Sequence, residues 1–184
     1  MPAIAEKKMT ADEFLAWAEG REERWELVDR APSLMAPERA IHGLTKFAAQ
    51  RSLFDAIARA GSPCQMLPDG MTVRIDAANA FVPDALVVCD RLPAAEAIEV
   101  ENPVIVLEVL SPSTAANDLG RKLGGYFSVA SVQHYLVLDA ERRVLIGHKR
   151  GRGDAIETRI LSDGVLRLDP PGLVVAVADM FAAV

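Results

Sequence analysis

Apolar residues recur every three to four positions in three segments of the chain, which is the spacing of helices that bury one face. The first segment follows Thr10 and Glu13, which form the T-x-x-E pattern of a capping box. The second segment ends before Gly61, a residue type that commonly follows the last turn of a helix. The pattern predicts helices over residues 11–19, 38–60 and 117–130.

Between and after these segments the apolar residues form short runs, which predict strands. Two runs, 81–89 and 104–110, are almost uninterrupted, and this is typical of strands covered on both faces at the centre of a sheet. The Asp69–Gly70 pair predicts a hairpin turn between its two flanking runs, 64–67 and 71–75. The remaining predicted strands are 25–28, 33–36, 135–138, 144–148, 155–161, 164–168 and 173–177, with a small helix from Ala178.

The order of the predicted elements indicates a single domain covering residues 1–184. A strand, a helix and a second strand follow one another between residues 104 and 138, which is the order of a parallel pair joined by a crossover. The hairpins elsewhere imply antiparallel pairs. The expected fold class is therefore α/β, with a central mixed β-sheet flanked by helices.

Composition and charge narrow the class of protein. Hydrophobic residues make up 51% and charged residues 25% of the chain, which excludes disordered and fibrous proteins. No stretch has the length of a membrane span and the N-terminus lacks the apolar core of a signal peptide, so we expect a cytoplasmic protein without membrane contact.

Cys64 and Cys89 lack zinc-binding spacing and are expected to be buried free thiols. A net charge of -6 excludes coating of nucleic acid by bulk attraction, so any phosphate site must be local or screened by metal.

Glu108 is the residue whose position most needs an explanation. It lies inside the apolar run 104–110, where its neighbours predict burial. An ionised carboxylate in such surroundings costs several kcal/mol unless a cation or hydrogen bonds compensate it. A bound metal is one such compensation. An exposed edge position or a structural arginine partner are the alternatives.

Two further residues are placed to meet Glu108. Asp84 begins the preceding apolar strand, 24 residues earlier, so neighbouring strands would bring both carboxylates to one cation, and Mg²⁺ is the ion this suggests. Lys122 lies on the helix after the Glu108 strand, where its ammonium could stabilise charge on a phosphoryl transition state. The alternatives are an ordinary Pro-Asp turn for Asp84 and a solvated i,i+4 ion pair of Lys122 with Asp118.

Several motifs of the chain resemble one known family. They are TADEF (10–14), WELVD (25–29), MAP (35–37), His42, PDALVV (83–88), LEVLSPST (107–114), DLGRK (118–122), Tyr126 and YLVLD (135–139). Together they resemble the Uma-two family of restriction endonucleases, which is similar to a branch of the PD-(D/E)-x-K nuclease superfamily. LEVLSPST followed by DLGRK is the most specific part, and the resemblance covers most of the chain.

The resemblance implies a restriction-endonuclease-like core and hydrolysis of DNA phosphodiester bonds with Mg²⁺, for which Mn²⁺ can substitute. It implies that Asp84 and Glu108 are metal ligands, that Lys122 is the catalytic lysine and that Glu26 is a further acid. In the superfamily the lysine usually stands two positions after the second acid. That position is Leu110 here, so the role passes to Lys122 on the following helix.

Three more residues are candidates for the site. Glu26 alternates with apolar neighbours in its strand, so it either belongs to the site or faces solvent. His42, early on the long helix, is a candidate general base or phosphate contact, or else an ordinary surface histidine. Asp118 precedes Lys122 by one helical turn. The basic stretch 142–152 is either a DNA-backbone contact or, more commonly for such a stretch, a solvated turn.

Two hypotheses of function follow. In the first, the protein is a Mg²⁺-dependent DNA endonuclease in which Asp84 and Glu108 hold the metal and Lys122 orients the attacking water. In the second, it is a catalytically silent protein of nuclease fold that acts as a binding or dimerisation module. Because severing a duplex requires two cuts and the chain offers one candidate site, the first hypothesis also predicts a homodimer.

Overall fold

The computed structural model of the protein describes residues 8–110 and 118–181, without the side chains of residues 118 and 119. The helices are α1 (Ala11–Ala18), α2 (Ala40–Ala60), α3 (Asp118–Ser128) and a short 3₁₀ helix (Val177–Met180). The strands are β1 (Trp25–Val28), β2 (Ala31–Leu34), β3 (Gln65–Pro68), β4 (Val73–Arg74), β5 (Ala80–Phe81), β6 (Ala85–Val88), β7 (Ile105–Val109), β8 (His134–Asp139), β9 (Val144–Arg150), β10 (Ile156–Leu161), β11 (Val165–Leu168) and β12 (Leu173–Ala176). Of the helices in this described part, none is both long enough and apolar enough to cross a bilayer.

Six strands form the main sheet, in the order β10-β9-β8-β7-β6-β3. β7 and β8 are parallel and α3 lies between them in the chain, whereas the other neighbouring strands are antiparallel. On one face α2 packs Ala49 and Leu53 into the same core as Leu107, and on the other α3 packs Tyr126 into a core with Val106. This arrangement confirms the expected α/β class with a mixed sheet flanked by helices.

The alternation of side chains along β7 decides where Glu108 points. Leu107 and Val109 belong to the core on the α2 side, and Val106 belongs to the core on the α3 side. Because successive residues of a strand face opposite sides, Glu108 faces the α3 side together with Val106. Both faces of β7 are covered, which explains why its sequence is an almost continuous apolar run.

A second sheet, in the order β2-β1-β5-β4, carries the N-terminal part of the site. β1 and β2 form a hairpin whose two turn residues, Asp29 and Arg30, have φ values of 50° and 70°, as a two-residue hairpin of this hand requires. Phe14 of α1 packs with Leu27 of β1. Glu26, on the other face of β1, accepts a hydrogen bond from the N–H of Val82 at 2.9 Å, which ties this sheet to the entry of β6.

The structure differs from the predicted elements in three places. β2 begins at Ala31, two residues earlier than predicted, because the turn before it has two residues rather than four. The hairpin predicted around Asp69–Gly70 is wrong, since β3 pairs with β6 in the main sheet and β4 pairs with β5 in the second. The run 81–89 is divided into β5 and β6 around Pro83, which has no N–H to give to a ladder.

The expectation of two free thiols is also wrong. Cys64 and Cys89 form a disulfide, which leaves neither of the two cysteines of the sequence free. They lie one position beyond the Gln65–Val88 pair of the antiparallel β3–β6 ladder, where directly opposite side chains approach closely. The pairing depends on this strand register, which the spacing of two cysteines does not reveal.

Candidate active site

Lys122 of α3 lies between two carboxylates that come from different sheets. Its Nζ is 2.9 Å from Oε1 of Glu108 on β7 and 2.9 Å from Oε1 of Glu26 on β1. The three side chains are only 11% to 14% exposed. The alternatives of a solvated helix face for Lys122 and a solvent-facing Glu26 are therefore wrong.

Tyr126 is the second donor to Glu108. Its hydroxyl donates to Oε1 of Glu108 at 2.7 Å, and the residue is completely buried between the rings of Phe81 and Tyr135. Tyr126 follows Lys122 by four residues, so both donors lie on the same face of α3. Tyr126 belongs to the motifs that carry the family resemblance, but its role was not deduced from the sequence. The i,i+4 relation to Lys122 was the signal that could have revealed it.

Asp84 is fixed at the entry to β6, beside the end of β7. Its Oδ2 accepts the N–H of Val109 at 2.7 Å, and its own N–H donates to the carbonyl of Leu107 at 3.0 Å. Gln50 of α2 donates to the Asp84 carbonyl at 2.8 Å. These bonds hold Asp84 against the backbone on either side of Glu108, and both residues line the same cavity. Lys122 forms its ion pairs with Glu26 and Glu108 rather than with Asp84.

His42 lies against Asp84 and the end of β7. Its Nε2–H donates to the Val109 carbonyl at 3.0 Å and is 3.3 Å from Oδ2 of Asp84, while Nδ1 is 3.7 Å from Glu38. The side chain is 14% exposed, so the alternative of an ordinary surface histidine is wrong. The hydrogen bond to Asp84 raises the pKa of His42, against the opposing effect of burial.

Lys46, which the sequence analysis missed, supports the same region. It follows His42 by one turn of α2, and its Nζ is 3.9 Å from Oδ1 of Asp84. The ammonium is bonded to Glu38 and, at 2.9 Å, to Asp69. Burial alone would lower the pKa of Lys46, but these two carboxylates raise it. The i,i+4 spacing from His42 was the available signal.

The predicted site residues meet at one open cavity of about 740 Å³. Five of the six predicted site residues line it: Glu26, His42, Asp84, Glu108 and Lys122. The sixth, Asp118, is the first residue of α3, and its side chain lies outside the described part of the structure. The segment 111–117, which includes the serines of the LEVLSPST motif, also lies outside it.

The basic stretch 142–152 does not line this cavity. Arg150 donates to the carbonyls of Phe127, Val129 and Val132, so it holds the end of α3. Arg142 is paired with Asp139 of its own hairpin. At least these two residues of the stretch have structural partners.

Comparison with known proteins gives the family. A family model described as "Putative restriction endonuclease" and called Uma2 matches residues 11–178. The chain belongs to the Uma2 family. It is 27% identical over 178 residues to the uncharacterized protein slr1290 of Synechocystis sp. (strain ATCC 27184 / PCC 6803 / Kazusa), an alignment that covers 96% of this chain and 93% of that protein.

The fold of this Uma2 protein also has a solved counterpart. It resembles the crystal structure of "a putative nuclease belonging to DUF820" from Anabaena variabilis ATCC 29413, with a TM-score of 0.75 and 16% sequence identity. The match covers 94% of this chain and 97% of the other. The restriction-endonuclease-like fold expected from the sequence is thereby confirmed.

The charges at the site do not balance. Burial raises the pKa of Glu108 to about 7; Lys122 acts to lower it, and Glu26 and Asp84 raise it further. Burial would lower the pKa of Lys122, but Glu108 and Glu26 outweigh it and the pKa is raised. Glu26 and Glu108 thus share the Lys122 ammonium. Asp84 lies near His42, a cation when it is protonated, and 3.9 Å from the Lys46 ammonium, which is already bonded to Glu38 and Asp69. This excess of negative charge is what a divalent cation would neutralise.

The donor set at the site fits Mg²⁺. Within the described residues no three or more His, Cys, Asp or Glu side chains are grouped to hold a metal. The donors that the cavity offers are the carboxylates of Asp84 and Glu108 and the Val109 carbonyl beside Asp84. Mg²⁺ typically takes one or two carboxylates and keeps several waters. The Nε2–H of His42 already donates a hydrogen bond to the Val109 carbonyl oxygen and lies close to Oδ2 of Asp84. A cation bound to these two oxygens would therefore compete with the Nε2–H group.

Because of Glu108, the free energy of unfolding of the protein in EDTA should fall as pH rises from about 4.5 to about 7. Its pKa is 4.5 when unfolded and about 7 when folded, so in this window the folded state holds a proton that the unfolded state has lost, and unfolding becomes more favourable with pH. Denaturant titrations across this range should show a fall in the free energy of unfolding that is smaller in Glu108→Gln. Identical pH profiles for the two proteins would contradict a raised pKa.

Proposed function

We propose that this protein is a Mg²⁺-dependent endonuclease that hydrolyses phosphodiester bonds of DNA. The observation that carries the proposal is the buried Glu108 carboxylate, which shares a cavity with Asp84 and contacts Lys122. Membership of a family described as "Putative restriction endonuclease" supports DNA as the substrate. Asp84 and Glu108 are the proposed metal ligands, and Mn²⁺ is expected to substitute for Mg²⁺.

Lys122 is the proposed catalytic cation. An ammonium has three donors, and the contacts with Glu26 and Glu108 use two of them, which leaves one for a phosphate oxygen or the attacking water. Glu26 is a positioning residue, because its Oε1, which the Val82 N–H fixes, accepts a hydrogen bond from the Lys122 ammonium. Mg²⁺, when bound, supplies Lewis-acid stabilisation of the charge that develops on the phosphate.

Local basic groups would have to attract DNA, because the chain as a whole carries a net charge of -6. Arg24, just before β1, and Arg39, just before α2, line the same cavity as Lys122, and one nitrogen of Arg24 is also bonded to Glu38 and Asp69. They are the proposed contacts for phosphates that flank the cleaved bond. The proposal therefore predicts that binding depends on a few contacts and on Mg²⁺ rather than on a broad basic surface.

The direct test is cleavage of supercoiled plasmid and of labelled single-stranded DNA, each with Mg²⁺, Mn²⁺ or EDTA. Nicked or linear products that appear with either metal and disappear with EDTA support the proposal. Intact substrates under all conditions, from a folded protein that still binds DNA or a protein partner, would favour the silent binding module instead.

Mg²⁺ itself should stabilise the folded protein. At a concentration ten times its dissociation constant, a ligand that binds only the folded state raises the melting temperature of a chain of this size by about 3–6 °C. We expect a larger shift at pH 8 than at pH 6, because Glu108 must lose its proton to bind the metal. The shift should vanish in Glu108→Gln, whereas an equal shift in that variant would place the metal elsewhere.

A further inference from the structure

Strand β10 forms an open edge of the main sheet. In the described parts of the chain it has β9 on one side and no strand on the other. Ile156 and Ile160 are 38% and 70% exposed, and only Leu161 at its end is partly covered. A six-residue edge with exposed apolar side chains is a template for pairing with another strand, which monomeric proteins usually avoid by shortening or covering the edge.

The hydrogen-bond pattern shows which backbone N–H and C=O groups of β10 point away from β9 and toward the open edge of the sheet. Arg150, opposite Ile156, directs its N–H to Gln133 on the far side of β9, whereas Gly151 donates to Ala155. Because paired residues in an antiparallel ladder alternate between bonded and non-bonded, Ile156 and every second residue after it turn their N–H and C=O groups away from β9. The outward groups therefore belong to Ile156, Thr158 and Ile160.

The side chains of β10 are self-complementary about Thr158. When the strand is paired antiparallel with itself so that Thr158 faces Thr158, Ile156 faces Ile160 and Glu157 faces Arg159. The residues that exchange backbone hydrogen bonds in this register are the three whose groups point outward. Glu157 and Arg159 fall on the non-bonded pairs, where side chains are closest, and among the described residues neither forms an ion pair.

We propose that β10 pairs with β10 of a second copy of this chain, antiparallel and with the two-fold axis at Thr158. The six-stranded sheets of the two copies then form one continuous sheet. On one face of the joined sheet, Ile156 of each copy packs against Ile160 of the other. On the opposite face, Glu157 of each copy pairs with Arg159 of the other. β9 and β8 separate β10 from β7, so the cavity at Glu108 stays open and the pairing does not depend on the proposed cleavage.

A second exposed apolar feature is less suited to self-association. Leu44, Phe47 and Phe54 lie along one side of α2 and are 49%, 64% and 59% exposed. Arg51 stands between Phe47 and Phe54 and is 3.8 Å from Asp55, so an antiparallel pairing of α2 centred there would cover a charged pair from each copy. This stripe therefore serves as the competing surface in the test.

Charge reversal across the proposed axis provides the first test. The dimer is measured by sedimentation velocity of the full chain, without DNA or Mg²⁺, at protein concentrations from submicromolar to submillimolar. Glu157→Arg alone, or Arg159→Glu alone, places like charges opposite each other at two symmetric positions and should weaken the dimer by roughly tenfold or more. The double variant Glu157→Arg/Arg159→Glu restores opposite charges and should restore the dimer. Phe54→Lys, on the α2 stripe, should leave the dimer unchanged.

A disulfide across the axis tests the register. Both native cysteines are bonded to each other, so Thr158→Cys introduces the only free thiol. Facing residues of a bonded pair have Cα atoms about 5.5 Å apart, within the range of a disulfide. Mild oxidation should cross-link Thr158→Cys into covalent dimers. Arg159→Cys should not cross-link, because its symmetry mate lies further along the strand and beyond that range.

Three results would overturn the proposal. One is a wild-type protein that stays monomeric over the whole concentration range. Another is a dimer that tolerates both single reversals and is lost in Phe54→Lys, which would assign the interface to α2. The third is equal cross-linking of Thr158→Cys and Arg159→Cys, which would show encounters without the proposed register. Thermal unfolding of each variant, measured below the dissociation constant, separates loss of pairing from loss of fold.

Discussion

Glu108→Gln is expected to lower Mg²⁺-dependent DNA cleavage by about 10²–10³-fold while leaving the protein folded. The amide oxygen can still accept from Lys122 and Tyr126, so the hydrogen bonds that hold α3 against β7 are retained. What is lost is the negative charge that a hard cation requires. Asp84→Asn should have an effect of the same size, because it removes the other proposed ligand. The measurement is the rate of plasmid nicking under single-turnover conditions.

Asp163→Asn is the matched control, since it removes an exposed carboxylate from the turn between β10 and β11. Its cleavage rate should equal that of the wild type. The melting temperature of Glu108→Gln at pH 8 should be at least that of the wild type, because a buried and incompletely compensated charge is gone. Cleavage that survives in Glu108→Gln, together with a large loss of stability, would make Glu108 a structural partner of Lys122 rather than a metal ligand.

The parts of the fold that depend on local pattern could be predicted from the sequence. The capping box at Thr10, the long helix before Gly61 and the two central strands follow from spacing that a single segment contains. The burial of Glu108 could be predicted for the same reason, since both of its flanks are apolar. The strand-helix-strand order after it then placed Lys122 near the end of β7.

What could not be predicted depends on which strands become neighbours. A period of two leaves Glu26 free to face either side, and its inward position is decided by the packing of the second sheet against the entry of β6. The Cys64–Cys89 disulfide and the division of residues 64–75 between two sheets depend on strand register in the same way. Lys46 was missed because a lysine on an amphipathic helix is usually solvated, and only the fold reveals that it approaches Asp84.

The largest effect on stability is expected from Lys122→Met, which keeps an unbranched apolar stem and removes the ammonium. Glu26 and Glu108 would then remain buried and face each other without a cation, and breaking a buried ion pair in this way costs about 3–5 kcal/mol. Denaturant unfolding at pH 8 measures this loss. At pH 5 the loss should be smaller, because Glu108, with its pKa raised to about 7, is already protonated there.

Two further variants show whether the loss comes from charge. Arg121→Met removes the neighbouring cation of α3, whose guanidinium is 47% exposed and 3.5 Å from Asp29, and a surface pair of this kind should cost no more than about 1 kcal/mol. Lys122→Met/Glu26→Gln should recover part of the stability lost in Lys122→Met, because it removes one of the two unpaired charges. A loss in Lys122→Met that is as small as in Arg121→Met, or that is independent of pH, would mean that water reaches the two carboxylates. In that case water would stabilise the two carboxylates without a cation, and the uncompensated buried charge on which the proposed Mg²⁺ site depends would be absent.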